Sequence, residues 1–290
     1  MSLRNASRRP ARIRTAAIGI TLAALALAGC ASGAAPSGES TESATSDAGY
    51  ITPGKLTLAT GDIAYEPYVV DDDPSSGEGF EAAVAYAIAD KLGFAPEDVE
   101  WVRTSFEAAI APGPKNFDFN IQQYTITDER KQAVDFSSPY YAASQAVVGI
   151  NGGPLDGVDS IAGLKDVTLG AMAGSTSAQT IEDVIQPTVE PKLYGSNEDA
   201  VAAFNANQFD GFVIDLPTAF LATALYIDNS FIVGELPAGG IADEWGVVLA
   251  KDSVLTERVS AAIDELREDG TLEEITAQWL GAGSGVTLLK

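Results

Sequence analysis

At 290 residues with 46% apolar side chains, the chain is long enough for two domains, and its formal net charge of −24 at pH 7 argues against nucleic acid as a partner. It has no histidine and a single cysteine, Cys30. That excludes Ser-His-Asp and Cys-His nucleophiles, histidine-bearing zinc sites and any intrachain disulfide, and leaves catalysis by carboxylate, lysine or tyrosine open. No metal or cofactor is expected.

The first 29 residues hold five arginines and no acid, so the remainder is still more acidic, with 12 basic against 41 acidic residues. The basic start "MSLRNASRRPARIR" is followed by the apolar run "TAAIGITLAALALA", Thr15 to Ala28. That run is shorter than the ~20 residues a membrane-spanning helix needs, and it fits a signal peptide. Leu27-Ala28-Gly29-Cys30 resembles the lipobox of bacterial lipoproteins, which implies a signal segment over 1–29 and lipidation of Cys30. Residues 30–49, "CASGAAPSGESTESATSDAG", are small and polar without periodicity and read as a disordered tether. A flexible chain of this length spans roughly 25 Å, from ~5–6 Å times the square root of its residue count.

From Tyr50 onward strands and helices alternate. "KLTLAT" reads as a strand, "GFEAAVAYAIADKLG" as a helix stopped by Gly93, "VEWVRT" as a strand, "SFEAAIA" as a short helix ended by Pro112, and "FDFNIQ" as a strand. "TDERKQAV" predicts a helix start and "SQAVVGI" an apolar strand. After the Gly-rich break at Asn151–Pro154 the alternation resumes. "VTLGAMA", "EPKLYG", "FDGFVID" and "EWGVVLAK" predict strands; "STSAQTIEDVI", "SNEDAVAAFNAN" with Ser196 as N-cap, and "LPTAFLATAL" predict helices. "SVLTERVSAAIDELREDG" and "TLEEITAQWLG" predict two closing helices. This pattern, run twice, predicts two α/β lobes with largely parallel sheets.

In open α/β sheets ligands gather at the carboxyl ends of strands. There the sequence places Thr125, Thr127 and Arg130. A cation at a helix start is disfavoured by the helix dipole, so Arg130 either grips an anion or pairs at the surface with Asp128 or Glu129. Gly174, Ser175, Thr176 and Ser177 after "VTLGAMA" form either a second anion cup or a plain N-cap. Asp215 at the end of "GFVID" either receives an ammonium or caps the next helix. Asp62, Tyr65 and Tyr68 after the first strand form a pocket wall or simply pack.

Taken in order, "GDIAYEPY", "GEGFEAAVAYAIADKLG", "TITDERKQAVDFSSPYY", "LKDVTLGAMAGSTS", "FDGFVIDLP" and "DGTLEEITAQWLG" resemble the extracellular solute-binding proteins of polar amino-acid ABC importers, over about Lys55 to Gly281. The resemblance implies two α/β lobes joined by two crossing strands (the type II periplasmic-binding architecture), near Ala146–Ile150 and Glu244–Ala250. It divides the body into 50–146 with 247–290 as lobe 1, and 147–246 as lobe 2. It implies that Arg130 and Thr125 hold a ligand α-carboxylate, joined by Thr176 and Ser175 from the other lobe. Asp215 takes the α-ammonium, Tyr65 and Phe106 sandwich the side chain, and Asp62 reads a distal cation in basic amino-acid binders. Gln122 and Gln123 depart from the small residues of many relatives and bear on ligand size and polarity. The resemblance therefore implies a lipid-anchored, extracellular, monomeric binding protein. It would be held to the membrane through Cys30 and pass a polar amino acid, basic or neutral, to a permease by hinge closure. A dehydratase-like enzyme on the same fold, or a ligand sensor, are the alternatives.

Overall fold

The computed structural model describes residues 49–238, 243–281 and 285–290. The expected signal segment, Cys30 and all but the last residue of the tether lie outside these residues.

The first sheet has the order β2-β1-β3-β12-β4, built from β1 (Leu56–Thr60), β2 (Val99–Arg103), β3 (Phe119–Asn120), β4 (Val134–Phe136) and β12 (Val248–Ala250). Strand β1 pairs in parallel with β2 and β3, while β12 runs antiparallel between β3 and β4. Side chains alternate across it, as a period of two requires. Leu56, Leu58, Val247 and Leu249 face a core shared with α1 (Phe80–Lys91), α6 (Thr256–Glu268) and α7 (Thr271–Trp279), whereas Ala59, Val134 and Val248 face Phe117, Tyr124 and α2 (Phe106–Ile110).

The second sheet has the order β10-β6-β9-β7-β8, from β6 (Gln145–Ile150), β7 (Leu169–Met172), β8 (Lys192–Tyr194), β9 (Gly211–Asp215) and β10 (Ser230–Glu235). Strands β7, β8 and β9 are parallel, and β6 lies antiparallel between β9 and β10. Ala146, Val148, Phe212 and Ile214 pack on α4 (Asn197–Asn205) and α5 (Leu216–Leu221). Val147, Val213, Leu169 and Ala171 pack on the other side, against Ile181 and Ile185 that follow α3 (Thr176–Thr180). The two lobes expected from the alternation are these two layered sheets. They are not simply parallel, because each receives one antiparallel strand.

Three local expectations change. "TDERKQAV" makes a single 3-10 turn, Arg130–Gln132, because Val134–Phe136 is drawn into β4 beside β12. The paired segments that join the layers are β5 (Tyr141–Ala142) and β11 (Glu244–Trp245); residues 146–150, read as a crossing strand, lie inside the second sheet. The chain end also departs from the partition that placed all of 247–290 in lobe 1. Leu289 is buried in the second layer with Val147, Leu155 and Leu236, and its N–H donates to the Glu235 carbonyl. An apolar leucine that can reach this core gains by leaving water.

Helix α1 has no side-chain cap. The Pro67 and Tyr68 carbonyls accept from the N–H groups of Phe80, Glu81 and Ala82 instead. Gly79 is required just before it: φ is 108°, and an added Cβ would collide with the Tyr68 main chain. The loop that carries Tyr65 is thereby tied to the helix that carries Glu81.

Candidate functional site: a polar cavity between the two sheets

A cavity of about 250 Å3 lies between the layers; Asp62, Tyr65, Phe106, Gln123, Thr125, Arg130, Ser175, Thr176 and Asp215, all singled out from the sequence, line it with Gln122 and Ser177, whereas Tyr68, Thr127 and Gly174 do not. Drug-sized ligands occupy roughly 300–1,000 Å3, so this space suits a smaller solute.

Arg130 follows the short 3-10 geometry rather than a helix, so no dipole opposes it. Its Nη1 donates to the Thr125 carbonyl at 2.8 Å and its Nη2 to the Gly174 carbonyl at 3.0 Å, which reaches across the layers. The guanidinium carbon stands 5.3 Å from the centre of the Phe106 ring, which itself stacks on Tyr124 at 4.5 Å. Burial lowers the Arg130 pKa, with nearby Tyr124, Asp243 and Asp215 opposing the shift. The surface pairing considered for Arg130 is absent among the described residues; Lys131 takes Asp128, at 3.3 Å. A guanidinium has five N–H donors, so donors remain for an anion.

The opposite wall is a carboxylate and hydroxyl network. Thr125 Oγ1 and Thr176 Oγ1 lie 3.2 Å apart across the cavity, and Thr125 Oγ1 donates to Asp243 Oδ1 at 2.5 Å. Gln145 Nε2 donates to Asp215 Oδ1 and to Asp243 Oδ2, both at 2.5 Å, while its Oε1 accepts from Ser177 at 2.6 Å. Asp215 occupies the cap position of α5 but makes no capping hydrogen bond. Its carboxyl is pushed well up, first by burial and then by the Asp243 charge, with the Gln145 bond and Arg130 opposing. A cation placed here would relieve both causes. Ser175 is the N-cap of α3: its Oγ accepts from the Ala178 N–H and donates to the Met172 carbonyl at 2.6 Å. Its hydroxyl is committed, which leaves Thr176 as the freer donor.

Tyr65 Oη accepts from Asn197 Nδ2 at 2.8 Å and Tyr68 Oη meets Thr218 Oγ1 at 2.8 Å, so both tyrosines bridge the layers. Tyr68 is fully buried against Trp245 and packs rather than lines the cavity. The carboxylates of Asp62 and Glu198 line the cavity with no side-chain hydrogen bond or ion pair among the described residues. The neighbouring glutamines differ. Gln122 Oε1 accepts from Tyr124 Oη at 2.9 Å, which leaves its NH2 free. Gln123 gives both its main-chain N–H (2.7 Å) and its Nε2 to the Glu81 carboxylate, which leaves its Oε1 free.

Sequence reasoning missed Asn197, Glu198, Gln145, Asp243 and Glu81. Asn197 and Glu198 open α4 directly after β8, so the strand-end rule would have found them. Gln145, Asp243 and Glu81 act through partners 32 to 118 positions away, and nothing local signals them.

Two α/β lobes of matching strand order, enclosing a polar cavity, define the class: a two-lobed solute-binding protein of the type II periplasmic-binding architecture. The chain belongs to the bacterial extracellular solute-binding proteins, family 3, whose family model matches residues 57–282. It is 29% identical over 232 residues to the arginine-binding extracellular protein ArtP of Bacillus subtilis, covering 78% of this chain and 87% of that one. Among solved structures, an ancestral arginine-binding protein bound to glutamine is 32% identical, with a TM-score of 0.67, covering 80% of this chain and all of that one. A structure of an ancestral arginine-binding protein bound to arginine is likewise 32% identical, with a TM-score of 0.65, covering 78% of this chain and 98% of that one.

Proposed function

We propose that this protein captures a cationic amino acid, arginine or lysine, and that closure of the two lobes about β5 and β11 delivers it to an ABC permease, with lipidated Cys30 holding the protein at the outer face of the membrane. The carrying observation is the charge layout of the cavity: one guanidinium, Arg130, against three carboxylates, Asp62, Glu198 and Asp215. An α-carboxylate on Arg130, with Thr125 and Thr176 beside it, and an α-ammonium at Asp215 use one charge of each sign. Two acids remain, and a ligand with a second positive charge balances them better than a neutral one. The arginine-binding relatives support this reading; the glutamine-bound one makes glutamine the natural competitor.

Closure follows from the same contacts. Bonds such as Arg130 to Gly174 and Tyr65 to Asn197 exist only when the lobes meet, and a ligand that touches both lobes adds to them, shifting the population to the closed form.

A thermal-shift panel on protein refolded to strip carried ligand tests this. Native-state binding at about a hundred times Kd adds roughly 2.7 kcal/mol. Arginine and lysine should raise the transition more than glutamine at equal concentration. A larger shift with glutamine would move the specificity to Gln122 and Gln123, and no shift with any amino acid would refute the proposed ligand class.

A further inference from the structure

Glu81 is a carboxylate that the binding cycle does not use. It sits in the first turn of α1, 1% exposed, and does not line the main cavity. Three donors converge on it: the Gln123 N–H, the Gln123 Nε2 and the Tyr140 hydroxyl, itself 4% exposed. Gln123 holds φ at 49°, the left-handed region that a side chain with a Cβ rarely adopts. A residue stays there only when its surroundings over-determine it, and here Glu81 grips it at both ends. Glu81, Gln122 and Gln123 line a void of about 10 Å3 that shares both glutamines, Ile63 and Tyr65 with the main cavity.

We propose that Glu81 is a specificity-determining positioning residue: by binding both the main-chain N–H and the side-chain NH2 of Gln123, it fixes that glutamine with its amide oxygen as the free end at the cavity, and so favours ligands whose side chains carry only N–H donors. The inference deepens the proposed function and rests on it. An amide has a donor end and an acceptor end, and an ionised carboxylate can only accept, so the contact turns the NH2 end of Gln123 toward Glu81 and its oxygen away from it. Arginine and lysine side chains donate and cannot accept, so they need an acceptor at this position. A glutamine side chain carries both and pairs with either orientation. Gln122, whose oxygen is consumed by Tyr124, presents the opposite end one residue away, so the orientation of Gln123 is the one that a cationic ligand depends on. The ionised Glu81 also bears on Tyr65 and Asp215, adding negative potential near the same space.

The test compares wild type with Glu81→Gln and Gln123→Gly by calorimetric titration of the purified full chain with L-arginine and with L-glutamine. It is run at about pH 8.5, where Glu81, with its carboxyl near 7, is ionised. Glu81→Gln offers one acceptor oxygen to three donors and releases the Gln123 amide. Arginine affinity should fall about tenfold, with glutamine affinity changed by less than about threefold. A purely structural loosening would weaken both ligands alike. Gln123→Gly accepts the left-handed backbone without help and removes the amide. It should lose the arginine preference to the same extent, and adding Glu81→Gln to it should cost no further preference. Because Gln123→Gly leaves the buried acid in place, it decides the matter even where Glu81→Gln fails to fold. An unchanged arginine-to-glutamine ratio in Gln123→Gly, or additive effects in the double variant, overturns the inference and leaves the proposed function standing. Wild type that binds neither ligand overturns both.

Discussion

The two lobes share a strand plan but hold their principal charged groups in different ways. Each sheet is three parallel strands, then one antiparallel intruder, then an outer strand. In the first sheet the intruder is β12, from late in the chain; in the second it is β6, from its middle. The first lobe brings Arg130 with its Phe106–Tyr124 stack and the two glutamines. The second brings Asp215, Thr176 and, through Gln145, a link to Asp243. Arg130 is therefore held by main-chain carbonyls and an aromatic face, and Asp215 by a side-chain amide. A frame that repeats so closely does not dictate the chemistry at its strand ends; the residues placed there do.

Removing each half in turn breaks this comparison. Arg130→Ala should produce the largest loss. Truncating one partner of a buried, hydrogen-bonded charge pair costs about 2–5 kcal/mol, so arginine affinity should fall roughly a thousandfold. Calorimetry reads the loss, and circular dichroism should show the fold retained. Unchanged affinity would remove Arg130 from the site.

The next effect is on stability and is confined to the first lobe. Burial pushes the Glu81 carboxyl up to about 7, against the bonds from Tyr140 and Gln123 that favour the anion. A carboxyl with a raised folded pKa binds its proton more tightly in the folded state. Its stabilising contribution is complete below the unfolded value near 4.5 and is lost as pH rises through 7. Wild type should therefore lose up to roughly 3 kcal/mol more than Glu81→Gln between about pH 5 and pH 8 in urea unfolding. Parallel curves for the two proteins would show that Glu81 titrates as an ordinary surface acid.

Asp215→Asn probes the second lobe more gently. It keeps the shape and the Gln145 neighbour but removes the charge, so arginine affinity should fall about thirtyfold, equivalent to roughly 2 kcal/mol. The like-charge strain against Asp243 is relieved at the same time, so the unliganded protein should unfold at a higher temperature. Loss of binding together with a lower unfolding temperature would mean that Asp215 holds the fold rather than the ligand.

The alternation of strands and helices made the two-lobed frame legible in the sequence, and the strand-end rule pointed to Asp62, Tyr65, Thr125, Arg130, Ser175, Thr176 and Asp215; Phe106 and Gln123 came only from the family resemblance. The cap at Ser196 was legible too, and its Oγ accepts from the Asp199 N–H at 3.1 Å. What stayed hidden depends on distant pairing. "TDERKQAV" has helical composition, yet its last residue, Val134, is claimed by β12, more than a hundred positions on, and only a 3-10 turn forms before it. Strand β10 was not read at all: "SFIVGE" lacks a clean alternation because it lies at the sheet edge with mostly half-buried residues. Gln145 looked like the start of an apolar strand, and only the approach of Asp215 and Asp243 turns it into the brace of the acidic wall.

The burial of Leu289 in the second layer bears on the order in which the protein can be made. The second lobe is otherwise contiguous, from Gln145 to Glu235, and would be free to finish folding while the rest of the chain was still being synthesised. With Leu289 in its core that packing stays one side chain short, and the first lobe waits as well, for β12 between β3 and β4. Each half therefore reaches its final packing only after a segment far along the chain has been made: residues 248–250 for the first sheet and Leu289 for the second layer.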